Sequence, residues 1–139
     1  MNEIELAELK ARADTDDPAA MFFYAQAIRN TNPEEADKYI LLAAQLGQPN
    51  AAEQLGDKFY AAGDREHALH FYKTGVKGGL QDCAVKIAVI DLDTDEYAAM
   101  RELEELAESG VKSACAALSA YYKERGNRKE SAFWRSLAK

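Results

Sequence analysis

At 139 residues and 47% apolar composition, the chain is long enough to bury a core and too apolar for disorder. A net charge of −7 disfavours phosphate-rich partners, so no nucleic acid is expected. No apolar run approaches the ~20 residues of a membrane span, and the opening MNEIELAELKA lacks the basic-then-apolar order of a secretory signal, so a cytoplasmic protein without membrane contact is expected.

Taken in order, the chain reads as nine helices and no strand. Asn2 caps a first helix, with Glu5 three residues on and Ile4, Leu6, Leu9 and Ala13 on one side. Pro18 opens a second, to about Arg29. The run Asn32, Pro33, Glu34, Glu35 is a helix start: a cap, a proline in the first turn and two acids at the positive end. That third helix stops at Gly47, a residue that tolerates positive φ. Pro49 opens a fourth, ended by Gly63, and Asp64 caps a fifth. The end of the fifth, KTGVKGG, is weak, since an interior glycine costs about 1 kcal/mol against alanine; a small residue at Gly75 would also let a neighbouring helix approach. A sixth helix, Gln81 to about Leu92, is apolar nearly all round. A seventh starts near Thr94 or Asp95, an eighth spans about Lys112 to Arg125, and Asn127 with Glu130 caps the ninth.

A repeat runs through this order. In ADKYILLAAQLGQPNAAEQLG, residues 36–56, small residues sit at Ala36, Ala43, Gly47 and Ala51, and larger apolar ones at Tyr39 and Leu55. Ala68, Phe71, Gly75, Gly79, Cys83 and Ile87 keep these offsets, as do Ala99, Leu106, Gly110, Ala114 and Leu118. Gly47, Gly79 and Gly110 set the period at 32 and then 31 residues. Such a period predicts an all-α, α/α superhelical solenoid: about four short helix pairs preceded by a half-repeat capping helix, one domain over residues 1–139.

At these offsets the chain resembles the Sel-one-like repeat family, relatives of the tetratricopeptide repeats. The family pattern of Ala, an aromatic, Ala-Ala, Gly, Ala and Leu-Gly is met by Ala36, Tyr39, Ala43-Ala44, Gly47, Ala51 and Leu55-Gly56. Gly75 stands where an alanine is expected, and Ser119 replaces the glycine after Leu118. The link AAGDREHA is shorter than the family's usual link between paired helices. The resemblance implies a non-catalytic adaptor holding a peptide or protein partner on a concave face, without a cofactor. Carrying the repeat register over, the first helix of each pair would present Met21 and Ile28; Asn50, Glu53, Asp57 and Tyr60; Val85, Val89 and Leu92; and Lys123. Glu53 and Asp57 would suit a basic residue of the partner. Some relatives are cysteine-rich and bind β-lactams; two cysteines cannot supply that framework.

Other chemistry is weaker. Asp91, Asp93, Asp95 and Glu102 have the oxygen spacing of a calcium loop, but Glu96 occupies the position that needs glycine. The segment reads instead as an acidic link, with Asp93 or Thr94 as cap. His67 and His70, three apart on a helix, could face one metal, yet no third His or Cys lies near. A small metal-dependent or hydrolytic enzyme is therefore the alternative, and a purely structural homo-oligomer another. Cys83 and Cys115 read as small buried hydrophobes. The charge is uneven: residues 1–70 carry 6 Lys/Arg against 13 Asp/Glu, and residues 123–139 carry 6 against 2. At the C-terminal end, Phe133 and Trp134 are expected to seal the last helix, leaving a monomer, with a weak homodimer through Leu137 as second choice.

Overall fold

A computed structural model describes all of residues 1–139. It is all-α: α1 (Glu3–Ala13), α2 (Pro18–Ile28), α3 (Pro33–Gln45), α4 (Pro49–Ala61), α5 (Arg65–Lys77), α6 (Gln81–Asp91), α7 (Glu96–Glu108), α8 (Lys112–Glu124) and α9 (Arg128–Leu137). Each helix is of similar length, and successive helices pack in pairs, a repeat-like α/α arrangement with no strands. The chain divides into two compact units, Met1–Leu80 with α1 to α5 and Gln81–Lys139 with α6 to α9.

The glycines that mark the period do so for a backbone reason. Gly47 has φ 91°, its N–H bonds Ala44 O, and the next N–H, of Gln48, reaches back to Ala43 O at 2.9 Å. This left-handed cap satisfies two carbonyls that the helix end leaves open. The same bonds recur after α5, with Leu80 to Gly75, and after α7, with Val111 to Leu106.

A longer period lies over the shorter one. The link after α2 has no glycine: Thr31 Oγ1 donates to Ile28 O and Asn32 N–H to the same carbonyl at 2.7 Å. The link after α6 repeats this, with Thr94 Oγ1 and Asp95 N–H on Asp91 O. The caps Asn32 and Asp95 have nearly the same φ and ψ, −144° and 77° against −144° and 82°. By contrast, α4 and α8 end on Gly63 and Gly126, both at positive φ. Thr31 and Thr94, Asn32 and Asp95, and Gly63 and Gly126 are all 63 residues apart, which is two of the short repeats. Helices α2 to α5 thus match α6 to α9, and α1 stands outside the match. Asp95, whose side chain accepts from Ala98 N–H at 3.1 Å, is the cap of α7 in place of Asp93 or Thr94.

In the first unit the core is Ala-rich: Ala13, Ala20, Ala36, Ala43 and Ala51 are fully enclosed, with Tyr24, Ile40 and Phe71 supplying bulk. Small residues at a contact let helix axes come close. In the second unit Leu103, Ala114 and Leu118 are fully enclosed, and both cysteines are buried and not joined by a disulfide.

The end of α9 departs from expectation. Trp134 packs on the core of the second unit, but Phe133 is 53% exposed and Leu137 49% exposed. The two aromatics are adjacent in sequence, so a helix turns them about 100° apart; only one can face α8. The indole N–H of Trp134 is buried without a partner.

Candidate functional site

The first unit carries an open groove of about 570 Å³ where α1, α2 and α3 begin or end. Local sequence chemistry makes it acidic. The link after α1 is polar because a helix must stop there, and the starts of α2 and α3 attract acids to their positive ends. Asp17 caps α2, accepting from Ala20 N–H at 3.1 Å and from Arg12 at 3.2 Å. The Ala20 N–H bond, with Arg12 adding to it, holds the Asp17 carboxyl below its ordinary value. Asn32 caps α3, and its side-chain amide donates to Glu35 at 2.9 Å. Asp16 takes the left-handed conformation, φ 61°, which Asp tolerates better than most residues.

The groove is thus rimmed by Asp14, Asp16, Glu34 and Glu35, with Lys38 as its one cation. Its floor is apolar: Ala13, Met21, Tyr39 and Leu42. Tyr39 stands edge-on to Tyr24, with ring centroids 5.0 Å apart, and donates its hydroxyl to Asp14 at 2.6 Å. That bond, with burial added, raises the Tyr39 phenol far above its usual value; burial first and Glu35 second raise Tyr24. Both phenols therefore stay neutral donors that orient acids. Asp14 and Glu35 are held within the chain in this way, whereas Asp16 and Glu34 make no ion pair of their own.

The residues singled out from the repeat register separate into two groups. Met21 is 4% exposed and lies in the groove floor; Ile28 and Val85, each 5% exposed, are core residues and not surface ones, because the apolar side of a short helix pair is all the core it has. Val89 and Leu92 are half-buried against the second unit's core. Asn50, Glu53, Asp57 and Tyr60 share α4 at spacings of three and four, so they follow one side of the helix. Of these Glu53 is half-buried, the others are exposed, and Asp57 accepts from Tyr72 at 2.6 Å. Lys123 is exposed near the end of α8.

A second groove, about 280 Å³, includes Asp57 and lies beside Arg29, Asp37, Gln54 and Lys58. Its polar groups satisfy one another. Arg29 donates to Gln54 at 3.2 Å, Gln54 donates on to Gln26, and Asp37 lies 3.8 Å from Arg29 and 3.6 Å from Lys58. The larger groove keeps unpaired charge and an apolar floor, so it is the stronger candidate.

His67 is held by Asp64 at 2.7 Å and stacks on Phe59, and His70 meets Phe71 edge-on. No group of three or more His, Cys, Asp or Glu is placed to hold a metal. No helix is long and apolar enough to cross a membrane. The acids of the groove were absent from the register-based prediction. Their signal was the excess of acids in the first half and the start sequence NPEE, which capping alone explained. No protein-family model matches the chain, and no match was found among curated proteins.

Proposed function

We propose that the protein is a non-catalytic interaction module whose first unit holds a basic segment of a protein partner in the groove between α1, α2 and α3. The observation that carries this reading is the pairing of an apolar floor with four carboxylates and a single lysine. A cleft of this volume lies within the ~300–1,000 Å³ range of binding clefts. The floor would take an apolar side chain, and the rim would select Lys or Arg neighbours and raise the rate of encounter. The resemblance of the short repeat to Sel-one-like sequences supports the same class of function. The acid rim opposes phosphate, which favours a peptide over a nucleic acid.

Calorimetric titration of the whole chain with a synthetic amphipathic Lys/Leu peptide tests this. Saturable binding is expected, weakened by salt. It should fall at least tenfold in an Asp16→Lys/Glu34→Lys variant, and stay unchanged in Glu53→Lys. Equal affinity for the wild type and the double variant would place the site elsewhere.

A further inference from the structure

The structure carries one surface whose chemistry fits the groove, and it belongs to the same sequence. Helix α9 leaves Phe133 and Leu137 about half exposed, one turn apart on one side. Lys129 precedes Phe133 by four residues and so lies on that same side. Arg128, Lys129, Arg135 and Lys139 face only Glu130 as an acid from residue 128 onward. Lys129 borders this apolar pair on one flank and Glu130, three residues before Phe133, on the other; Arg128 and Arg135 lie farther round the exposed side of α9, which is net basic. The groove is an apolar floor with an acidic rim; Leu42 of that floor is partly exposed, and exposed Leu46 follows one turn on along α3.

We infer that the groove of one copy receives the outer face of α9 from a second copy, in a head-to-tail contact. This rests on the groove reading given above and names its partner. The argument is one of local sign. A chain of net charge −7 repels its own copies on average, so a self-contact is favoured where it pairs patches of opposite sign. Two α9 faces, both basic, repel each other, and two grooves, both acidic, do likewise. A groove and an α9 face attract, and the contact covers Phe133 and Leu137, the exposed apolar pair of the terminal helix. Two unlike surfaces make a heterologous contact, so a pair of copies retains one groove and one α9 face between them for further growth or ring closure.

Sedimentation velocity of the whole chain over a concentration series tests this. The mean mass should rise above the monomer with concentration and fall back when salt is added. Two variants should be monomeric where the wild type associates: Asp16→Lys/Glu34→Lys in the groove and Phe133→Ser/Leu137→Ser on α9. All four side chains are exposed, so circular dichroism should be unchanged; Arg128→Glu/Lys129→Glu provides an α9 variant by charge alone. Mixed one to one, the groove variant and an α9 variant should form a complex of two chains, since each supplies the surface the other lacks. A wild type monomeric at all concentrations overturns the inference; if the Lys/Leu peptide still binds in calorimetry, the groove reading survives it. Association lost in the α9 variants but kept in the groove variant would instead mean a like-with-like contact, and would also overturn it. Failure of both peptide binding and association would remove the groove reading as well.

Discussion

Helix pairs α4–α5 and α8–α9 sit 63 residues apart and solve one packing problem in opposite ways. In the first unit Gly56 faces the ring of Tyr72: a Cβ at position 56 would lie 2.5 Å from two ring carbons. The absence of a side chain lets a fully buried tyrosine cross the contact, and its hydroxyl finds Asp57 at 2.6 Å. In the second unit the equivalent of Gly56 is Ser119, and the equivalent of Ala68 is Ser131. Ser119 Oγ donates to Ser131 O at 2.9 Å, and Ser131 Oγ donates to Ser119 O at 3.0 Å, both buried. One pair is joined by shape, the other by reciprocal hydrogen bonds. Likewise Phe71 is matched by Trp134, whose N–H is buried unpaired. A repeat preserves the size of the contact and leaves its chemistry free.

The comparison can be broken most strongly at Gly56. Gly56→Ala should destabilise the protein by about 1–3 kcal/mol, the usual cost of overpacking. This runs against the ~1 kcal/mol that helix propensity alone would gain. In a Tyr72→Ala background the ring is gone, and the same substitution should become neutral or stabilising. Urea unfolding of the four proteins gives the coupling; simple additivity would mean that the ring does not set the need for glycine.

A smaller effect is expected in the second unit. Ser131→Ala should cost about 1 kcal/mol, the net worth of one buried hydrogen bond. Its partner keeps a role, because Ser119 Oγ still donates to the carbonyl of residue 131. The double variant Ser119→Ala/Ser131→Ala loses both of these bonds and should cost about twice as much as the single one, about 2 kcal/mol. A double variant no less stable than Ser131→Ala would contradict the reciprocal pairing.

The smallest effect is in alkali. Tyr39 donates to Asp14 in the first unit, and Tyr121 donates to Glu96 in the second. Both phenols are raised from the ordinary value of 10.0, Tyr39 much the more, since Arg125 works against the rise at Tyr121. A raised phenol contributes stability that is fully present below the unfolded value near pH 10 and is lost as pH rises from there. Thermal unfolding should therefore decline more steeply above about pH 10 in the wild type than in Tyr39→Phe. Tyr121→Phe should change the slope less. Equal slopes for all three would show that neither bond matters to folding.

Much of this architecture is legible without coordinates. Proline at the starts of α2, α3 and α4, the caps Asn2, Asn32, Asp64 and Asn127, and the glycines after α3, α5 and α7 act within a few residues of themselves, so each can be read locally. The short period follows, because small residues mark where helices meet. The site was less legible. Glu34 and Glu35 announce a helix start, and nothing local says that both rim a cleft, or that only Glu35 also bonds within the cap.

The sequence by itself determined nine helices, their order, their ends and a spacing of 31–32 residues, because capping and periodicity are short-range physics. Tertiary structure decided which apolar residues are core. Met21, Ile28 and Val85 go inside, and Phe133 and Leu137 stay out, since helices of 10 to 13 residues have one buried side whose direction is set by the neighbour they pack on. It also decided that the acids of two separate links share one groove with Tyr39 and Met21. Asp14 and Glu34 are twenty positions apart in the chain, and only the packing of α1, α2 and α3 brings them to the same rim.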